Sequence, residues 1–146
     1  MIILDTALRR REAEGRPIRV GMIGAGFMGR GLANQIVNSV PGMQLVAVAN
    51  RTLAHAERAY AEAGVEPVRV ENAGELDAAI EKGTPAVLED AFELIKAVHL
   101  DCVVDVTGAV AFGARVTVAA IDRGLPVVTM NAELDGTVGP LLAHRA

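Results

Sequence analysis

Aromatic side chains are scarce: three phenylalanines, one tyrosine and no tryptophan in 146 residues. Such a chain offers no platform on which unpaired bases can stack, and its net charge of -4 gives no general attraction for a phosphate backbone. Nucleic acid is therefore not an expected partner. A single cysteine, Cys102, excludes an internal disulfide, and its place in the run Cys102-Val103-Val104 reads as a core thiol on a buried strand. No apolar run reaches the roughly 18 residues that a membrane-spanning helix needs. At the amino terminus Ile2, Ile3 and Leu4 precede Arg9-Arg10-Arg11, the reverse of a secretory signal, so a cytoplasmic protein without a membrane partner is expected. The histidines His55, His99 and His144 have no mutual spacing that suggests a metal site.

What is present is aliphatic. Hydrophobic residues make up 51% of the chain, mostly Ala, Val, Ile and Leu, a profile that suits a compact α/β protein. One domain of this length buries about 70% of the surface of its unfolded chain. Leu4, Ala7 and Leu8 have helical spacing, Asp5 stands four residues before Arg9, and Gly15 with Pro17 supplies a stop, which predicts a leading helix over 4–14. Its arginine run is explained by a solvated face.

From Ile18 onward strand-like and helix-like segments alternate, the pattern of βαβ units around a parallel sheet. Strands are expected at 18–23, 44–49, 67–70, 102–106 and 126–130, with Val87-Leu88 as an edge strand. Helices are expected at 27–40, 52–63, 73–82, from Asp90 through Val98, and at 110–123. Asn72 with Glu75 and Asp90 with Glu93 have capping-box spacing.

Gly24-Ala25-Gly26-Phe27-Met28-Gly29 fits G-x-G-x-x-G. The motif alone is generic, but here it begins where an apolar strand ends and runs into an amphipathic helix inside a βαβ unit. Gly24 would permit the tight turn, Gly26 would admit backbone amides to a diphosphate, and Gly29 would let helix and strand pack closely. The helix amino terminus adds N–H donors and a positive dipole end. A flavin, a nucleotide-sugar or S-adenosylmethionine uses similar turns, and a ligand-free glycine turn is the plain alternative. The expected fold class is α/β: a Rossmann-type, doubly wound, mainly parallel sheet with helices on both faces, with residues 1–15 as the leading helix and 16–146 as the NAD(P)-binding domain.

Domains selective for NAD usually carry Asp or Glu at the end of the second strand, to accept from the ribose 2'-hydroxyl. Here that place reads Asn50-Arg51-Thr52, and no carboxylate lies between Gln44 and Ala56. Arg51 suits a 2'-phosphate bidentately, with Asn50 and Thr52 as further donors, so NADP(H) is the expected cofactor and NAD(H) the alternative. Thr52 also reads as an ordinary helix N-cap, and Arg51 as an ordinary loop arginine. Ligands of open parallel sheets lie at the carboxyl ends of the strands, which selects Thr107, Gly108 and Asn131 for the nicotinamide end. Capping and turn formation are the plainer roles for Thr107 and Asn131. Glu133 and Asp135 are weak catalytic candidates, better explained as carboxylates at a helix start.

The run Arg11–Val20, the turn Gly24–Gly29, Asp105-Val106-Thr107-Gly108, and Met130-Asn131-Ala132-Glu133 leading to Val138-Gly139-Pro140 carry a resemblance across essentially the whole chain. Together they resemble the bacterial homoserine-dehydrogenase-like oxidoreductases with a carboxyl-terminal SAF domain, which include the 1-deoxy-D-xylulose 5-phosphate reductoisomerase-like proteins. The resemblance implies NAD(P)H-dependent reduction of a small carbonyl or sugar-phosphate-like compound, with the substrate region beyond residue 146. True homoserine dehydrogenases carry lysine after the equivalent asparagine; Ala132 stands here, which argues against homoserine oxidation. Binding without appreciable turnover is then expected of this chain, with a small-molecule substrate held by a second domain and a homo-oligomer as a possible assembly. A non-catalytic dinucleotide sensor is the reading from another class.

Overall fold

The computed structural model describes residues 2–146, with side chains from Asp5 onward. Leu4, one of the residues behind the leading-helix expectation, has its side chain outside that range. In chain order the elements are α1 (Ile2–Ala13), β1 (Ile18–Ile23), α2 (Phe27–Ser39), β2 (Met43–Ala49), α3 (Leu53–Glu62), β3 (Val68–Arg69), α4 (Ala73–Glu81), β4 (Ala86–Leu88), α5 (Ala91–Lys96), β5 (Cys102–Asp105), α6 (Val110–Asp122), β6 (Val127–Thr129) and α7 (Ala132–Arg145).

The strands form one sheet in the order β3-β4-β2-β1-β5-β6, and every pairing is parallel. Parallel strands need helical crossovers, so both faces are covered and the strands read as nearly continuous apolar runs. Met22, Val48, Val87 and Val104 turn to one face, with Ala33 and Ile36 of α2 and Ala56, Ala59 and Tyr60 of α3. Ile23, Ala47, Leu88 and Val103 turn to the other, with Leu76 of α4, Leu94 of α5 and Val116 and Ala120 of α6. The chain winds outward from β1 through β2, then returns to place β5 on the other side of β1. That reversal between β1 and β5 is the topological switch point, where ligands of open α/β sheets bind.

Three local expectations change, and one is extended. Val87-Leu88 is no edge: β4 lies inside the sheet between β2 and β3, fully buried, while the edge is the two-residue β3. The helix opened by Asp90 stops at Lys96 rather than Val98, because the Asp77 carboxylate of α4 accepts the amides of Val98 and His99 at 3.1 and 3.0 Å. The helix start read at Glu133 and Asp135 is present and extends as the 14-residue α7. At the second capping box, Asp90 accepts from Phe92 at 2.7 Å, while Glu93 reaches across to the amide of Ala73 at 3.0 Å and so serves the neighbouring helix. The first box behaves locally as the spacing predicts, with Asn72 Oδ1 accepting the Glu75 amide at 3.0 Å.

An ion pair ties the start of β1 to the loop before β5. Asp101 accepts the Arg19 amide at 2.7 Å and its guanidinium at 3.2 and 3.3 Å. Burial alone would raise the Asp101 carboxyl, but the hydrogen bonds and charge of Arg19 outweigh it and hold it below the usual carboxylate range. A depressed carboxyl contributes stability above its unfolded-state value and loses it as the pH falls through the folded one. Thermal melts at neutral pH and at about pH 3, where carboxylates gain protons, should show a smaller acid destabilisation in Asp101→Asn than in wild type. An equal loss in both would rule this pair out as a contributor.

Candidate functional site

The β1–α2 turn is shaped by three glycines with three different environments. Gly24 has φ +103°, a region that side-chain-bearing residues avoid. A Cβ there would lie 3.0 Å from the carbonyl carbon and oxygen of Val106 and 3.2 Å from the Thr107 amide, so the turn rests directly on the β5–α6 loop. A Cβ on Gly29 would come within 2.7 Å of the Gly24 carbonyl oxygen, which explains the close approach of helix to strand. Gly26 differs: no protein atom lies within 4 Å of the place its Cβ would take. That open cradle, at the N-cap of a helix with no side-chain cap, fits a diphosphate approaching the first-turn amides. Ala25 is buried in the turn, whereas Phe27 and Met28 stand 82% and 57% exposed beside it.

Asn50, Arg51 and Thr52 follow β2 and divide their work. The Asn50 side chain accepts the Ala25 amide at 3.1 Å and donates to the Thr52 carbonyl at 2.8 Å. Asn50 is thus a brace between the phosphate turn and the β2–α3 loop, and it engages one of its two Nδ2 hydrogens in doing so. Thr52 occupies the N-cap of α3, but its hydroxyl makes no capping bond. Arg51 is exposed and, among the described residues, has neither a hydrogen bond nor an ion pair. The two side chains best placed to meet a ligand group here are therefore Arg51 and Thr52.

At the other side of the switch point, Gly108 has φ +67°, and the Thr107 hydroxyl accepts the Ala109 amide at 3.4 Å. The Thr107 amide donates to Asp105 Oδ1 at 2.9 Å. Asn131, expected at the nicotinamide end, is only 1% exposed. Its Oδ1 accepts the Leu134 amide at 3.1 Å and caps α7, while its Nδ2 faces Asp105 Oδ2 at 3.4 Å. Asp105 itself, fully buried at the end of β5, is a residue that sequence reasoning passed over. A charged residue ending an apolar strand beside the switch point was the available signal. Glu133 and Asp135 are exposed in the first turn of α7, where carboxylates complement the helix dipole. Asp135 lines a groove of about 390 Å³ between α6, β6 and α7 whose walls include none of Gly24, Gly26, Thr107 or Gly108. The described residues contain no cluster of three or more His, Cys, Asp or Glu able to hold a metal ion, and no helix long and apolar enough to cross a membrane.

The arrangement is a diphosphate cradle at the centre, an arginine at the β2 side and a glycine loop at the β5 side, which fits an extended dinucleotide lying across the carboxyl edge of the sheet. Comparison with known proteins agrees. Inositol 2-dehydrogenase 4 of Saccharopolyspora erythraea is 35% identical over 113 residues, covering 77% of this chain and 28% of that protein. The crystal structure of myo-inositol dehydrogenase from Lactobacillus casei in complex with NAD(H) and myo-inositol superposes with a TM-score of 0.64 at 23% identity, over 88% of this chain and 33% of that one. A homoserine dehydrogenase structure from Thiobacillus denitrificans gives 0.65 at 22% identity, over 89% and 27%. The chain spans about a third or less of each of these relatives. Residues 24–135, from the first glycine of the turn to the start of α7, match the model for the homoserine dehydrogenase NAD-binding domain. The chain belongs to that family of dehydrogenase cofactor domains.

Proposed function

We propose that this domain binds NADP(H) in preference to NAD(H), and that it orients the nicotinamide for hydride transfer to or from a small carbonyl or sugar-phosphate-like substrate. The observation that carries the preference is Arg51, an exposed guanidinium without an internal partner at the β2 terminus where NAD-selective domains place a carboxylate. The cofactor supplies the hydride; this chain supplies binding and orientation. Gly26 leaves the diphosphate its space, the α2 amino terminus supplies donors, and Asn50 braces the turn against the Arg51 loop. The substrate is held by a second domain, which the resemblance of Arg11–Val20 and Met130–Pro140 supports as one of the SAF-domain branch. The Lactobacillus casei neighbour solved with NAD(H) favours a second reading, in which NAD(H) is the preferred cofactor.

Calorimetric titration with NADPH and NADH separates the two. Hydrogen bonds to charged groups contribute about 1.5–3 kcal/mol, so Arg51→Ala should weaken NADPH roughly 10- to 100-fold and leave NADH within about twofold. Tighter binding of NADH by the wild type, or unchanged NADPH binding in Arg51→Ala, would remove the NADP preference.

A further inference from the structure

Asp105 is fully buried, and among the described residues no cation pairs with it. A carboxylate in that setting is costly unless hydrogen bonds hold it. Two do: the Thr107 amide on Oδ1 at 2.9 Å, and the Asn131 amide group facing Oδ2 at 3.4 Å. The fold also makes room for it. A Cβ on Gly113 of α6 would lie 2.6 Å from Asp105 Oδ2 and 3.0 Å from Asn131 Nδ2, so a side chain there would collide with both partners. Asp105 pairs with Ile23 at the carboxyl edge of β1, next to the glycine turn, and its own carbonyl accepts the Met130 amide at 2.8 Å. One buried carboxylate thus joins the β5–α6 loop to the β6–α7 corner, across the half of the cleft opposite Arg51.

We propose that Asp105 is a positioning residue for the nicotinamide half of the cofactor. It acts without touching the ligand, by holding Thr107 and Gly108 against the turn at Gly24 and by orienting Asn131. The inference rests on the cofactor-site reading given above. Its chemistry requires two acceptors. Asn131 Oδ1 already accepts the Leu134 amide, so its Nδ2 must point at Asp105, and the Thr107 amide requires the second oxygen. A carboxamide at position 105 has one acceptor. Whichever way it turns, either two donors face each other or the Thr107 amide loses its partner. Turning Asn131 over only moves the donor–donor clash to Leu134. Exchanging the two residues, Asp105→Asn with Asn131→Asp, restores the match. The carboxamide then at position 105 would accept from Thr107 and donate to the carboxylate at position 131, which still accepts from Leu134.

The test compares NADPH with 2'-phospho-ADP-ribose, the same dinucleotide without its nicotinamide ring, by calorimetry on the full chain. Asp105→Asn should weaken NADPH about 10-fold or more, on the scale of a lost bond to a charged group, and change 2'-phospho-ADP-ribose by less than about twofold. The exchanged pair D105N/N131D should recover NADPH binding to within about threefold of wild type. A merely structural carboxylate would lower both affinities together, and equal losses for the two ligands would overturn the positioning role, as would undiminished NADPH binding in Asp105→Asn. If Asp105→Asn does not fold, the exchanged pair decides. Binding of 2'-phospho-ADP-ribose without recovery of NADPH refutes the proposal, whereas recovery of both supports it. A wild-type chain that bound neither ligand would overturn the cofactor-site reading itself, a result distinct from all of these.

Discussion

Gly26→Ala should weaken dinucleotide binding strongly while leaving the melting temperature of the free chain unchanged. The two effects separate because the empty space beside Gly26 belongs to no protein atom. Its φ of -73° is one that alanine adopts freely, and nothing lies within 4 Å of the new methyl group. In the ligand-bound state that methyl stands where the diphosphate must approach the α2 amides, so the bound phosphates lose their donors. A loss of at least about 2 kcal/mol, roughly 30-fold in affinity, is expected on the scale of charge-assisted hydrogen bonds. Gly24→Ala provides the contrast. Its φ of +103° and the Val106 backbone 3.0 Å away leave the new methyl no room, and backbone does not yield as a flexible side chain does. That variant should lose stability as well as binding, with about 1–3 kcal/mol from the strained conformation alone. Calorimetric titration and thermal melts on both variants check the pair. Undiminished binding in Gly26→Ala would remove the diphosphate from this turn.

The largest effect on stability is expected at Tyr60. The chain's single tyrosine is fully buried between α3 and the sheet, and its hydroxyl donates to the Leu45 carbonyl of β2 at 3.0 Å. In a core built from small aliphatic residues, this ring is the largest fully buried side chain. Tyr60→Ala should destabilise by about 3–5 kcal/mol, as large-to-small aromatic changes do when surroundings relax only partly. At roughly 2–4 °C per kcal/mol for a domain near this size, the melting temperature should fall by about 6–20 °C. Tyr60→Phe keeps the volume and loses only the hydroxyl, so about 1 kcal/mol is expected. Burial also pushes the phenol well above its ordinary value. A raised folded-state pKa contributes stability that is fully present below the unfolded value near 10 and is lost as the pH rises through the folded one. With one tyrosine and no tryptophan, an alkaline absorbance titration reports this group alone. Phenolate should appear only together with loss of the far-ultraviolet helical signal. A gradual ionisation before unfolding would show that the hydroxyl is accessible.

Features that depend on residues close in the chain were legible without a structure. The βαβ alternation follows from apolar runs and their breaks, and the turn at Gly24–Gly29 from its place between a strand and a helix. The Asn72 cap closes on Glu75, three residues away. The same local reading went astray wherever a partner comes from another element. Glu93 has capping-box spacing to Asp90, yet its carboxylate serves Ala73, because α5 packs beside α4 and offers it an orphan amide there. Val87-Leu88 reads as a short edge strand, and becomes interior because β3 pairs outside it.

The cofactor cleft divides the same way. Sequence alone determined the chain's α/β class, the glycine turn and the arginine at the place of an acid, since each is written in residues close together in the chain. Tertiary structure decided the rest. It buried Asn131, made Asn50 a brace, placed Asp105 against Thr107 and Asn131, and assigned Gly113 to make room for that carboxylate. The physical reason is that a hydrogen bond between residues 26 positions apart leaves no periodicity in the chain. It exists only because β5 and β6 pair in parallel and end side by side at the carboxyl edge of the sheet.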